Sequence, residues 1–192
     1  MKAIKVKTEA ERAGVHYVRT EAMVMGFSIS PYGEFADDKP DSEYVLVTDD
    51  NDKPLSTCRI VYGTDDKGER FGKIERVATV SYARGLGAGR LAIEGAEEII
   101  KAQGVKKIII TSRDEAQGFY EKLGYTAYPG YEPEFLEHGP HGELPVPEVI
   151  KSIPDKIPDN NITDNINYNK SPENAPKPVT FNFTCVYMEK NL

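Results

Sequence analysis

A glycine-rich stretch in the middle of the chain has the residue types that bind phosphate groups. The apolar run 77–80 leads into Arg84-Gly85-Leu86-Gly87-Ala88-Gly89-Arg90, and apolar residues at helical spacing follow. Such a turn offers free backbone N–H groups at a helix start, where the helix dipole also favours an anion. Glycines leave those amides uncovered by side chains. The stretch predicts a pyrophosphate site, although glycines at this spacing also form plain tight turns beneath a packed helix.

Two better-known phosphate loops do not fit these residues. The dinucleotide-binding pattern G-x-G-x-x-G requires a glycine at position 90, where this chain has an arginine. The nucleoside triphosphate loop requires Gly-Lys-Ser or Gly-Lys-Thr, which the sequence lacks. The predicted ligand is therefore neither NAD nor ATP.

Two segments together resemble one protein family. Residues 84–89 match Q/R-x-x-G-x-G/A, the cofactor loop of the GNAT acyltransferase superfamily, in the same strand-loop-helix context. Further along, Ala116-Gln117-Gly118-Phe119-Tyr120-Glu121-Lys122-Leu123-Gly124-Tyr125 resembles A-x-x-F-Y-x-K-L-G-F of that family. Arg19-x-Glu21, Cys58-Arg59 and residues 137–141 more weakly resemble its ElaA-like branch. The resemblance covers residues 1–128 and 179–188.

The GNAT resemblance implies a mixed α/β fold whose sheet splays between its fourth and fifth strands. Acetyl-CoA would lie in that gap, with its pantetheine arm on the backbone of 77–79 and its pyrophosphate on the amides of 85–90. Ser112 or its neighbour Arg113 replaces an asparagine that contacts the cofactor in many family members. The implied cofactor-binding residues are Val77, Ala78, Thr79, Arg84, Gly85, Leu86, Gly87, Ala88, Gly89, Arg90, Ser112 and Tyr120.

The implied reaction is direct attack of a primary amine, from a small molecule or peptide, on the thioester in a ternary complex. It needs one group to remove the amine's proton and another to protonate the departing thiolate. Tyr120 matches the family's tyrosine acid, and a packing role is the alternative. Glu75, on one strand face with Lys73, is the candidate base. The alternatives are an ion pair of Glu75 with Lys73 or Arg59, or an ordered water as base.

The elements that must position these residues follow from apolar periodicity and turn residues. An antiparallel meander is expected first, and alternating strands and helices then complete a mixed sheet with helices packed on it. The predicted order is strand 3–6, helix 9–25, strands 44–47, 55–62 and 73–80, helix 86–102, strand 105–111, helix 114–123, and strands 125–128 and 179–188.

Residues 129–178 differ in composition from the rest, because ten of the thirteen prolines fall there. We expect a loop-rich insertion before the last strand of a single domain spanning 1–192. It could serve as a lid, an oligomer contact or a solvated excursion. His138 and His141 lie in it, but Gly139-Pro140 excludes the regular helix that would align them, and no metal is expected.

The composition of the chain limits the kinds of molecule that it is expected to bind. The formal net charge of -7 argues against nucleic acid, whose binding depends on neutralising phosphates. No apolar run long enough to span a bilayer occurs, and the N-terminal residues do not resemble a signal peptide. We therefore expect a cytoplasmic protein that does not bind membranes, with Cys58 and Cys185 as buried thiols. The acidic runs 37–38 and 49–52 are expected to be solvated turns.

The sequence leaves two matters open. One is the oligomeric state, where a homodimer is compatible with everything above. The other is the class of function, since a non-catalytic acyl-CoA-binding or protein-interaction domain of the same fold would carry the same cofactor loop.

Overall fold

The computed structural model describes residues 1–128, 134–138 and 181–192, with side chains in 1–128 and 185–192. Its strands and helices alternate as the sequence predicts. They are β1 Lys2–Lys5, α1 Glu9–Arg19, α2 Pro31–Phe35, β2 Glu43–Thr48, β3 Pro54–Thr64, β4 Arg70–Thr79, α3 Ala88–Ala102, β5 Lys107–Arg113, α4 Gln117–Glu121, β6 Thr126–Ala127, β7 Glu134–His138 and β8 Phe181–Asn191.

The eight strands of the described residues form one mixed sheet in the order β1-β2-β3-β4-β5-β8-β6, and β7 also pairs with β8. Neighbours from β1 to β4 are antiparallel, β4 and β5 are parallel, and β8 runs antiparallel to β5. This confirms the predicted mixed α/β fold.

Helices α1 and α3 cover opposite faces of the sheet. A Cβ at Gly14 of α1 would meet Leu46, whereas one at Gly95 of α3 would meet Val45. Leu46 and Val45 are consecutive residues of β2, and consecutive side chains of a strand point to opposite faces. The buried core therefore has two layers, one on each side of the sheet.

Residues close together in the sequence fix the start of helix α1. The Thr8 side chain accepts a hydrogen bond from the Glu11 amide, and the Glu11 carboxylate accepts one from the Thr8 amide. This reciprocal capping box satisfies N–H groups that have no partner within the helix.

Four element predictions need correction. The helix predicted to reach Met25 ends at Arg19 and continues as a π-helical turn, Thr20–Met25. The short helix α2 is absent from the predicted elements. The helix predicted at 114–123 is a 3-10 turn, Asp114–Ala116, followed by the five residues of α4. The sequence predicts loop throughout 129–178, but β7 forms there and pairs with β8. The rest of that segment, including the predicted insertion, lies outside the described residues.

Strands β4 and β5 separate partway along their length, as the family resemblance implies. They share four register pairs, from Phe71↔Lys107 to Ile74↔Ile110. Beyond that point β5 continues beside β8 as far as Arg113, and β4 continues beside β3 as far as Thr79. A gap therefore opens inside the sheet.

A β-bulge interrupts β4 just beyond the last pair with β5. Thr57 pairs with Ala78 and Arg59 with Glu75, so that two β4 residues, Arg76 and Val77, lie opposite the single residue Cys58. A bulge bends its strand and increases the local twist. This one coincides with the place where β4 turns away from β5.

Candidate functional site

A pocket of about 550 Å³ lies in the gap between the separated strands. Residues 73–79 of β4 form one wall, and the ends of β5 and β8 form the wall opposite. The π-helical turn after α1 and Tyr120 of α4 complete the lining. Of the sequence-predicted site residues, the structure brings Glu75, 77–79, Arg84 and Tyr120 together here.

The glycine loop continues from Arg84 at the edge of this pocket. Gly85 and Gly87 have φ angles of +77° and +90°, in the left-handed region that glycine adopts without strain. A Cβ on either would meet nothing within 4 Å, so the backbone conformation, and not lack of space, requires glycine. Gly87 is the N-cap of α3, and no side chain occupies the first-turn amides. The loop thus presents open N–H groups.

The surroundings of the loop favour an anion. Arg84 and Arg90 are both exposed beside it, and Leu86 leaves 63% of its surface in contact with solvent. Gly89 is closer to the sheet, since its Cβ would lie 3.2 Å from Thr79 Oγ1. Two cations and a helix N-terminus at the edge of a pocket are what a pyrophosphate requires.

Tyr120 brings a buried side chain with a hydroxyl group to the pocket. It is 7% exposed, and its ring packs edge-to-face against Phe119 and Tyr125, with centroids 5.0 and 6.1 Å away. Its hydroxyl has no hydrogen-bond partner among the described residues. Burial raises the pKa of Tyr120 well above its ordinary value. The phenol is therefore protonated at neutral pH and free to donate to a bound molecule.

Glu75 lies in the β4 wall and is held by two cations. Its Oε1 accepts hydrogen bonds from Arg59, with Nε 2.8 Å away and Nη2 2.6 Å away. Its Oε2 is 3.5 Å from Lys73 Nζ. The structure thus places Glu75 in the pocket, as a base would be, and also in the ion pairs that the sequence offered as the alternative.

Ser112 is not brought to the pocket. Its side chain is 1% exposed, and its hydroxyl donates to the Arg113 carbonyl at 2.7 Å. The neighbouring residues Thr111 and Arg113 line the pocket instead. The Arg113 guanidinium lies 4.6 Å from the ring centroid of Phe27, which also lines the pocket.

The sequence does not predict a network of buried charges that lies beneath the α2 segment. Arg19, fully buried, donates to Glu34 at 2.7 Å and to Asp38 at 2.6 Å. Arg59 bonds Asp38 at 2.6 Å and Asp37 at 2.5 Å. The expectation that residues 37–38 form a solvated turn holds for Asp37, which is exposed in a turn, but both carboxylates also pair with arginines of α1 and β3. The partners in these ion pairs lie 15 or more residues apart in the sequence, so no local sequence pattern predicts the pairs.

Arg76 of the bulge connects this network to the pocket. It has a φ of +50°, which for a side-chain-bearing residue costs roughly 1–2 kcal/mol. Its guanidinium reaches Glu34 Oε2 at 3.2 Å and Asp37 Oδ1 at 3.1 Å. A strained residue that persists at a pocket wall must be held by its surroundings.

Glu21 connects the same part of α1 to the cofactor loop. Its carboxylate accepts hydrogen bonds from the Ser81 amide, at 3.1 Å, and from the Ser81 hydroxyl, at 2.6 Å. Ser81 opens the short 3-10 turn that leads into the glycine loop. The Arg19-x-Glu21 motif therefore ties one helix end both to α2 and to the loop.

The described residues contain no group of three or more His, Cys, Asp or Glu side chains that could hold a metal ion. The side chain of His138 and all of His141 lie outside them. Within the same part of the chain, no helix has the length and apolar character needed to cross a membrane. Cys58 and Cys185 are buried and form no disulfide with each other, as expected.

Comparison with known proteins decides the family. Residues 13–125 match the acetyltransferase (GNAT) family. The chain belongs to the GNAT family. An uncharacterized N-acetyltransferase of Bacillus subtilis (strain 168), YjcF, is 29% identical over 145 residues, which cover 75% of this chain and 98% of YjcF. This GNAT protein is accordingly an acyltransferase.

Solved structures confirm the GNAT fold. A candidate N-acetyltransferase from Lactobacillus plantarum superposes with a TM-score of 0.66 at 24% identity, covering 100% of this chain and 97% of that one. Escherichia coli ElaA superposes with a TM-score of 0.60 at 15% identity, covering 98% of each chain. At these identities the likeness concerns the fold alone.

GNAT proteins use acetyl-CoA, and the residues of this pocket fit it. The left-handed glycines leave a cradle over the α3 amides that side chains would fill. From there the gap between β4 and β5 leads past residues 77–79 to Tyr120. The β4 edge in this gap pairs with no β5 residue, so its peptide groups are available to an extended arm.

Proposed function

We propose that this GNAT protein transfers the acetyl group of acetyl-CoA to a primary amine of a small molecule or peptide, by direct attack in a ternary complex. One observation carries the proposal: Arg84, where the glycine loop begins, and the buried, protonated phenol of Tyr120 line a single gap in the sheet.

Different residues of the chain would bind different parts of the cofactor. The amides of 85–90, with Arg84 and Arg90, would hold the pyrophosphate. The backbone of Val77 and Thr79 would hydrogen-bond the pantetheine arm, because both residues line the gap. Acetyl-CoA supplies an activated acyl thioester when it is bound.

Tyr120 would protonate the departing thiolate. In water a phenol is a weaker acid than a thiol, with pKa values near 10 and 8.5. The burial that raises the pKa of Tyr120 disfavours a thiolate in the same pocket for the same reason, because both anions lose hydration there. The phenol therefore keeps its proton until a thiolate develops beside it.

Glu75 would accept the proton of the attacking amine, directly or through an ordered water. Its Oε1 is occupied by Arg59, which fixes the carboxylate in the pocket wall. Its Oε2 makes no hydrogen bond among the described residues and has only Lys73 Nζ, 3.5 Å away, as an ionic neighbour. That oxygen is the one left for an acceptor.

The test combines acetyl-CoA titration calorimetry with a thiol-release assay over pooled amines, peptides and aminoglycosides. Tyr120→Phe should lower kcat by about a hundredfold or more, the usual contribution of a positioned acid, and leave acetyl-CoA affinity unchanged. Tyr125→Phe is the matched control, because Tyr125 is equally buried but outside the pocket lining and donates to Glu97 at 2.9 Å. It should keep its kcat.

Each outcome has a definite meaning. Equal kcat values for Tyr120→Phe and the unchanged protein would refute the acid role. Binding of acetyl-CoA without thiol release over the whole amine pool would favour a non-catalytic binding domain. If acetyl-CoA did not bind at all, the proposed function would be wrong. Glu75→Gln should lower kcat at neutral pH, and an unchanged value would leave water as the base.

A further inference from the structure

The bulge in β4 is held by charges that come from outside the sheet. Arg76, in its left-handed conformation, is bound by Glu34 and Asp37, which belong to α2 and the turn after it. Glu34 is 1% exposed, and its other oxygen accepts from Arg19 Nε at 2.7 Å. One anchor of the Arg76 guanidinium is therefore fixed inside the protein.

The second anchor closes a ring of ion pairs around the bulge. Asp37 binds Arg76 through Oδ1 and Arg59 through Oδ2. Arg59 in turn binds Glu75, the residue before Arg76 on β4. Two consecutive residues of the bulged strand are thus tied to a single exterior carboxylate, one directly and one through Arg59. Such a closed ring holds the local backbone in one conformation through several contacts at once.

The bulge decides where the next residues of β4 point. Val77, Ala78 and Thr79 follow Arg76 directly and line the pocket, whereas the last pair of β4 with β5 lies before it, at Ile74. If the ring were opened, Arg76 would gain by returning to an ordinary strand conformation. The edge formed by 77–79 would then shift relative to Tyr120 and the glycine loop.

We propose that Arg76 is a positioning residue for acetyl-CoA, and that its ion pairs with Glu34 and Asp37 hold the cofactor-binding edge of β4 in place. This inference depends on the proposed function, since it concerns the same cofactor. It also gives the segment 31–38 a role, because that segment supplies the two carboxylates that bind Arg76.

Three substitutions at position 76 separate positioning from direct contact. Arg76→Ala removes the ion pairs and keeps the conformational strain, so acetyl-CoA affinity should fall about tenfold, the equivalent of about 1.4 kcal/mol. Arg76→Gly also removes the ion pairs, but glycine adopts the left-handed conformation freely, so its loss should be about threefold or less. Arg76→Lys retains a cation and should fall between Arg76→Ala and the unchanged protein.

A change in the partner completes the design. Asp37→Asn leaves the guanidinium in place and removes its charged partner, and a positioning role predicts a loss of acetyl-CoA affinity of about threefold or more. Arg70→Ala is the matched control. Arg70 begins the same strand, is exposed, lies over the Tyr62 ring and does not line the pocket, so the affinity should not change.

Calorimetric titration with acetyl-CoA measures all five variants, and their circular dichroism spectra verify the fold. Affinity that is lowest for Ala, with Lys and Gly between Ala and the unchanged protein, supports positioning. Equal losses for Ala and Gly with no effect of Asp37→Asn would overturn it in favour of direct contact with the cofactor. If the unchanged protein binds acetyl-CoA and no variant differs, only this inference fails. If the unchanged protein does not bind it, the proposed function fails as well.

Discussion

Replacement of Gly87 by alanine tests the anion loop most directly. Gly87 has a φ of +90°, and an alanine in the left-handed region costs roughly 1–2 kcal/mol. Its Cβ would meet nothing within 4 Å, so no steric cost adds to this. In a chain of 192 residues, 1 kcal/mol corresponds to roughly 2–4 °C in Tm. The predicted loss is therefore about 2–8 °C, measured by thermal unfolding without ligand.

Binding should separate Gly87 from a control that carries the same strain. Gly68 has a φ of +80°, nothing within 4 Å of its Cβ, and a position in the β3–β4 turn away from the pocket. Gly68→Ala should lose similar stability and keep its acetyl-CoA affinity. Gly87→Ala should bind about tenfold more weakly or worse, because a hydrogen bond to a charged group contributes roughly 1.5–3 kcal/mol. Equal calorimetric Kd values for the two variants would refute the loop assignment.

Three further outcomes follow from buried and paired groups. Thr111→Val and Thr48→Val each remove a buried hydroxyl that has no hydrogen-bond partner among the described residues. Chemical denaturation should therefore show unchanged or slightly higher stability for both variants. A loss of stability above about 1 kcal/mol would contradict this reasoning. Burial raises the pKa of the Cys58 thiol to about 12, so thiol reagents at neutral pH should label Cys58 only after unfolding, as mass spectrometry can show. Burial alone would raise the pKa of Asp37, but the hydrogen bond from Arg59 and the charge of a second guanidinium lower this pKa to about 2. The stability that these ion pairs contribute is therefore present above about pH 4 and is lost as the pH falls toward 2. Asp37→Asn should make the stability less dependent on pH in this range.

The parts of the site that sequence could predict are those made by neighbours in the chain. The glycine loop is one, because glycine is the residue type that adopts the left-handed conformations of Gly85 and Gly87 without strain. Helix α1 is another, since Thr8 and Glu11 form a capping box. The motif around Tyr120 predicts a place for this residue in the pocket, and the structure places it there.

The parts that sequence could not predict depend on contacts between distant residues. Arg76 has no residue-type preference for a left-handed conformation, and only Glu34 and Asp37, some forty positions away, account for it. Helix α2 is a different case, because Ser30-Pro31 does carry a signal: proline is favoured at the first position of a helix. The acidic and glycine residues that follow favour a turn instead.

The separation of β4 and β5 also determines where an unpaired strand edge lies in this fold. An unpaired strand edge at the rim of a sheet is a template on which another chain can add a strand, and it promotes aggregation. Here the edge at 75–79 that faces away from β3 lies inside the sheet, opposite β5 and beneath Tyr120. A slender arm can enter that gap, whereas a polypeptide strand would have to bring its own side chains between two walls of the core. The position of this edge inside the sheet therefore makes it a poor template for another chain.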